Sequence, residues 1–186
     1  MNASRQLPSL LRHSMLKRPG CFITDADNDM PASWQHAWKS MNPHWDVLHV
    51  SLSTPCREQA WFRCLEAKIQ ASPVGAILVA TNAGCLAVAH WMANSSQADL
   101  VHAALLVDLP SCASSHIDAL EAAPEFPFPC LVIHRQGECL TDVSISKMWA
   151  YDHQARWVLH PAANSYHERF HWSEGYELLQ RLSNFE

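Results

Sequence analysis

The sequence predicts a three-layer α/β/α domain: a mostly parallel sheet of about six strands held between two layers of helices. Two patterns point there. Short apolar runs alternate with longer amphipathic segments beyond residue 20, and two of the runs, GAILVA and HAALLVDL, are apolar almost without a break. Strands that are hydrophobic on both faces belong inside a parallel sheet that is covered by helices on each side.

The elements follow in order. Strands are expected at Cys21–Thr24, Val47–Leu52, Ala76–Ala80, Ala103–Leu109, Leu131–His134 and Trp157–Leu159, where β-branched and other apolar residues run between turn residues. Helices are expected between them at Ser33–Met41, Arg57–Gln70, Ala83–Ala93, Thr141–His153 and Trp172–Leu182, with Ser33 and Thr141 as N-caps. The segment Pro110–Pro129 has no periodicity and is rich in proline, so it reads as a long loop or a short cap over one end of the sheet. Residues 1–19 read as an N-terminal arm and 20–186 as one domain.

Composition narrows the function. With 186 residues, 48% hydrophobic and 17% charged, the chain is long enough to bury its own core. Its net charge is −5 and its basic residues do not cluster beyond Lys17-Arg18, so a nucleic-acid partner is not expected. The seven cysteines are scattered without a C-x-x-C pair, which reads as free thiols in a reducing, cytoplasmic setting. The basic N-terminal segment has an apolar patch too short for a secretory signal, and no later stretch reaches membrane-spanning length. A transit peptide is the alternative reading of that arm.

In an open α/β sheet, ligands sit beyond the carboxyl ends of the strands, so the turn after GAILVA matters most. It reads Ala80-Thr81-Asn82-Ala83-Gly84-Cys85-Leu86-Ala87-Val88-Ala89-His90-Trp91, a strand passing into a helix through small residues. That is the shape of a nucleophile elbow, in which a sharp turn lifts the middle side chain above the sheet. Here the middle residue is Asn82.

The same stretch resembles A-H-S-L-G-C-L-A-V-A-H-W of the small serine hydrolases of the retinoblastoma-binding-protein-nine type, agreeing at nine of twelve places. Other landmarks fall in order: Pro31, Trp34-Gln35, Pro55, Trp61, Ala104-Leu105-Leu106-Val107, Phe126-Pro127-Phe128-Pro129, Trp172 and Glu174-Gly175. The resemblance spans roughly residues 20–182 and implies an α/β-hydrolase-like fold. It also implies that Asn82 replaces the catalytic serine, Gly137 the acid and Asn164 the histidine, and that Thr24-Asp25 replaces the Pro-Gly framing the oxyanion site. Two fewer residues separate Asn164 from Trp172 than in the family pattern, so His160 and His167 are rival positions for the histidine.

An amide offers no ionisable nucleophilic oxygen at neutral pH. Losing one triad member costs about 10⁴- to 10⁶-fold in kcat. The expected function is therefore that of an inactive hydrolase-like protein, a binding or assembly module for a small acyl-type ligand or a protein partner. The expected ligand-binding residues are Asn82, Ala83, Thr24, Asp25 and Asn164. The alternative is an esterase with rebuilt chemistry, using Cys85 or Ser165 with His134, His160 or His167. Cys85, three residues past the elbow tip, and His90-Trp91 read more simply as packing residues.

No cofactor and no metal are expected, although His167-x-x-x-His171 has the spacing of two ligands on one helix face. A homo-oligomer is possible. Trp149 and Trp157 lie outside the family landmarks and are candidates for an interface.

Overall fold

The structure, a computed structural model, describes residues 16–26, 34–51, 57–72, 74–110, 123–137, 143–161 and 171–184. Six strands form one sheet: β1 (Gly20–Asp25), β2 (Asp46–Val50), β3 (Ala76–Thr81), β4 (Val101–Val107), β5 (Cys130–Arg135) and β6 (Arg156–His160). All adjacent pairs are parallel, in the order β2-β1-β3-β4-β5-β6. The helices are α1 (Trp34–Met41), α2 (Arg57–Gln70), α3 (Ala83–Asn94), α4 (Val143–Asp152) and α5 (Ser173–Ser183), with a short 3₁₀ turn at Ala98–Leu100.

The central strands bury alternate residues on opposite faces, as their pleat requires. Ile23, Leu78, Ala80, Ala104, Leu106 and Val132 face one core, which α2, α3 and α4 cover. Phe22, Ile77, Val79, Leu105, Val107 and Ile133 face the other, which α1 and α5 cover. The helices supply matching stripes. In α2 the buried Trp61, Leu65 and Ile69 recur every four residues, and in α5 Tyr176, Leu179 and Leu182 recur every three. Helix α3 is buried almost all round, from Ala83 to Ala89 and again at Trp91 and Met92, so its small residues lie close against the sheet.

The placement of α1 on one face and of α2 and α3 on the other follows from the handedness of β-α-β crossovers. The chain leaves β1 toward β2 on one side, and leaves β3 toward β4 on the other. The carboxyl ends of β1 and β3 therefore flank the topological switch point, where a crevice opens in folds of this kind.

The observed elements match the expected ones, with differences at their ends. The fourth strand begins earlier and ends at Val107, so that Asp108 and Leu109 lie beyond it. The second strand ends at Val50. Ser33, Thr141 and Leu52 lie outside the described residues. In the Pro110–Pro129 segment, Phe126 and Phe128 are core residues, with ring centres 5.5 Å apart and Phe126 edge-on to Trp149. Trp149 itself is buried and stacks on His153 at 4.3 Å, which corrects its reading as an interface residue. Trp157 is half-buried, its indole N–H donating to Ser146 Oγ at 3.0 Å.

Candidate functional site

Strand β3 ends at Thr81 and α3 begins at Ala83, leaving Asn82 as a one-residue corner with φ 45° and ψ −113°. Asn tolerates the left-handed region, but that region has ψ near +47°; this conformation is a strained one for any residue with a side chain. The corner is held from both sides. The Asn82 N–H donates to the Val107 carbonyl at 3.3 Å, and the Cys85 N–H to the Asn82 carbonyl at 2.9 Å. Gly84 lies against β1, where a Cβ would come within 2.8 Å of the Ile23 carbonyl carbon and nearer still to its oxygen. A glycine at this place lets the helix start directly over the strand end.

The Asn82 side chain is half-buried and makes no capping hydrogen bond to α3. Ala83 and Gly84 open the helix, where backbone N–H groups lack acceptors within the helix and a partial positive charge gathers. Cys85 points away. It is fully buried, with its thiol 3.6 Å from the Val107 carbonyl.

The other expected residues are placed as follows. Thr24 and Asp25 end β1, and both are buried. The Thr24 hydroxyl bonds His49 Nδ1 on β2 at 3.0 Å. Beside it lies a cavity of about 110 Å³ that Gln35 also lines. Gly137 sits in the turn after β5 with φ 79°. Asn164, Ser165 and His167 lie outside the described residues.

Two charged residues near this sheet end, Asp108 and Arg135, were not singled out in the sequence, whereas His160 was a rival position for the histidine. Asp108, immediately after β4, is buried and has φ 54°. Its carboxylate accepts from the Arg135 backbone N–H at 2.9 Å and from Arg135 Nε at 2.6 Å. The Arg135 guanidinium lies 6.0 Å from the Trp34 ring centre and 5.5 Å from that of Trp172, an arrangement that adds cation–π attraction to the ion pair. At the end of β6, His160 Nε2 accepts from the Trp172 indole at 3.0 Å and stands 2.9 Å from Glu174 Oε2. Its Nδ1 faces the Pro161 carbonyl at 2.9 Å, so both ring nitrogens are engaged. The legible signal for the first pair was a charged residue ending an apolar run.

A serine and a histidine do meet elsewhere. Ser146 Oγ lies 3.2 Å from His134 Nδ1, but the two residues are 1% and 3% exposed, and the hydroxyl also accepts from Trp157. That pair belongs to the core between α4 and the sheet, which removes His134 as an accessible base. Burial also pushes the Cys21 thiol up to about 12 and raises that of Cys130, so neither supplies a thiolate at neutral pH. Among the described residues no group of three or more His, Cys, Asp or Glu could hold a metal ion, and no helix is long and apolar enough to cross a membrane.

A parallel sheet between helices, with a strained strand-to-helix corner at its switch point, defines an α/β-hydrolase fold. Solved structures agree. The chain is similar to a YdeN-like hydrolase of Pectobacterium atrosepticum (TM-score 0.70, 16% identity, covering 89% of this chain and 91% of that one). It is similar also to an α/β-superfamily hydrolase of Xanthomonas campestris (TM-score 0.60, 15% identity, 90% and 100% covered) and to a CIB-like hydrolase of Thermoplasma acidophilum (TM-score 0.64, 11% identity, 91% and 87% covered). No curated protein sequence matches. The family model for serine hydrolases matches residues 24–181, and the chain belongs to that family.

Proposed function

We propose that this serine hydrolase family member is catalytically inactive and uses its elbow as a binding site, for a small acyl-type ligand or a segment of a protein partner. One observation carries the reading: the corner keeps a strained nucleophile-type backbone while its side chain is the amide of Asn82. An amide cannot attack a carbonyl carbon, yet it donates and accepts hydrogen bonds. With the N–H groups of Ala83 and Gly84, it suits a carbonyl or carboxylate oxygen. In this reading Thr24 and Asp25 border the ligand from β1, Asn164 is a further ligand residue, and Gly137 is a turn and no longer an acid. The protein acts in the cytoplasm, without metal or cofactor.

The test uses the full chain with a fluorophosphonate probe and p-nitrophenyl acetate. Neither labelling nor turnover is expected, and robust labelling of a serine or cysteine would overturn the reading in favour of a rebuilt hydrolase. The triple variant Asn82→Ser, Gly137→Asp, Asn164→His is expected to gain weak esterase activity. A folded but inert triple variant would count against the three correspondences.

A further inference from the structure

At the other end of the sheet from the elbow, the first residues of β5 and β6 and the last turns of α4 and α5 surround a cavity of about 510 Å³. That volume falls within the roughly 300–1,000 Å³ of clefts that hold small molecules. Trp157, Val158, Leu178 and Leu182 form its apolar wall, and Arg156 and Arg181 its polar part. Tyr151, 66% exposed, forms part of the lining, so an apolar surface reaches from solvent into the cavity.

The charge at this cavity runs against that of the whole chain. The protein carries a net charge of −5, yet both charged residues lining the cavity are arginines. Among the described residues no ion pair joins Arg181 to a carboxylate, although Glu177 lies one turn back on the same helix. A guanidinium presents a planar fork of donors that fits a carboxylate through two parallel hydrogen bonds. A second copy meeting this one through the same face would bring Arg181 against Arg181, so the charge favours an anion over a symmetric dimer at this cavity.

We infer that this cavity binds a small anionic amphiphile, a carboxylate bearing an apolar chain, with the chain against Trp157, Val158, Leu178 and Leu182 and the carboxylate on Arg181. The site is separate from the elbow. It lies at the amino ends of the strands, whereas Asn82 lies at the carboxyl ends, so the two readings stand or fall separately.

Calorimetric titration of the full chain with sodium decanoate, below its micelle concentration, tests the inference, with 1-decanol as the uncharged comparison. Saturable one-site binding of decanoate is expected. It should weaken at least about ten-fold for decanol and for Arg181→Gln, since a hydrogen bond to a charged group is lost. Leu178→Trp, which fills the cavity, should abolish it, and the surface change Arg181→Gln keeps the test decisive if that variant fails to fold. Amide NMR shifts should centre on Val158, Leu178 and Arg181. The inference is overturned by equal binding of decanol, by no saturable binding, or by shifts centred on Ala83 and Gly84. Co-sedimentation with phosphatidylglycerol vesicles in place of decanoate binding would also overturn it, by making the patch a membrane contact.

Discussion

Asn82 and Asp108 end adjacent strands, joined by the hydrogen bond from the Asn82 N–H to the Val107 carbonyl, and both have positive φ, 45° and 54°. Their side chains differ. Asp108 is 1% exposed and bonded through both carboxylate oxygens to Arg135, which sits against Trp34 and Trp172. Its unusual backbone is accounted for within the chain, because the turn delivers the carboxylate to its partner. At Asn82 the steric fit of Gly84 on Ile23 holds the backbone, and the amide is left half-exposed and without a cap bond. Two neighbouring corners thus share a positive φ, one serving an internal ion pair and the other presenting a side chain at the switch point.

The largest expected effect tests the first corner. Asp108→Ala leaves the Arg135 guanidinium without its counter-charge, and breaking a buried pair in this way costs about 3–5 kcal/mol. Because the Arg135 side chain is 19% exposed, the lower end of that range is expected in urea denaturation. Adding Arg135→Met should recover part of the loss by removing the unpaired charge, a coupling a double-mutant cycle measures. A loss under about 0.5 kcal/mol, the scale of an ordinary surface change, would mean that the pair does not hold this corner.

The second effect tests the elbow's support. In Gly84→Ala the new methyl group meets backbone atoms of β1, which cannot rotate away as a side chain would. A loss of about 2–3 kcal/mol is expected in the same assay. An unchanged midpoint would show that β1 yields and that Gly84 does not fix the corner.

The elbow was legible in the sequence because its determinants are local: an apolar strand, small residues and a helix within twelve positions. The Asp108–Arg135 pair was not. Its members are 27 residues apart and meet through the pairing of β4 with β5, whose order no local pattern encodes. HAALLVDL read as a strand through Leu109, which hid the place where the aspartate leaves the sheet. Phe126 and Phe128 went unread as core for a similar reason, since a proline-rich segment has no period and its burial depends on Trp149 from a later helix. Trp149 drew attention as an unexplained aromatic until the same contact buried it. The correspondences of Asn82 and Gly137 rest on short motifs; Asn82 directly follows β3, and Gly137 lies in the turn two residues beyond β5.

The smallest effect separates the two corners most directly. A residue with a side chain held in a sparsely populated conformation such as that of Asn82 costs about 1–3 kcal/mol. Glycine relieves that strain, while its greater freedom in the unfolded chain takes back about 0.5–1 kcal/mol. Asn82→Gly should therefore be more stable by about 1 kcal/mol, a rise of roughly 2–4 °C in Tm for a chain of this size. Asn82→Ala keeps the strained corner and loses the amide, so its Tm should fall or stay level. Any ligand recovered with the native protein should be lost from both variants. If Asn82→Gly instead lowers Tm, the amide makes a stabilising contact inside the folded chain, and the corner is a second version of Asp108 and not a site held open for a ligand.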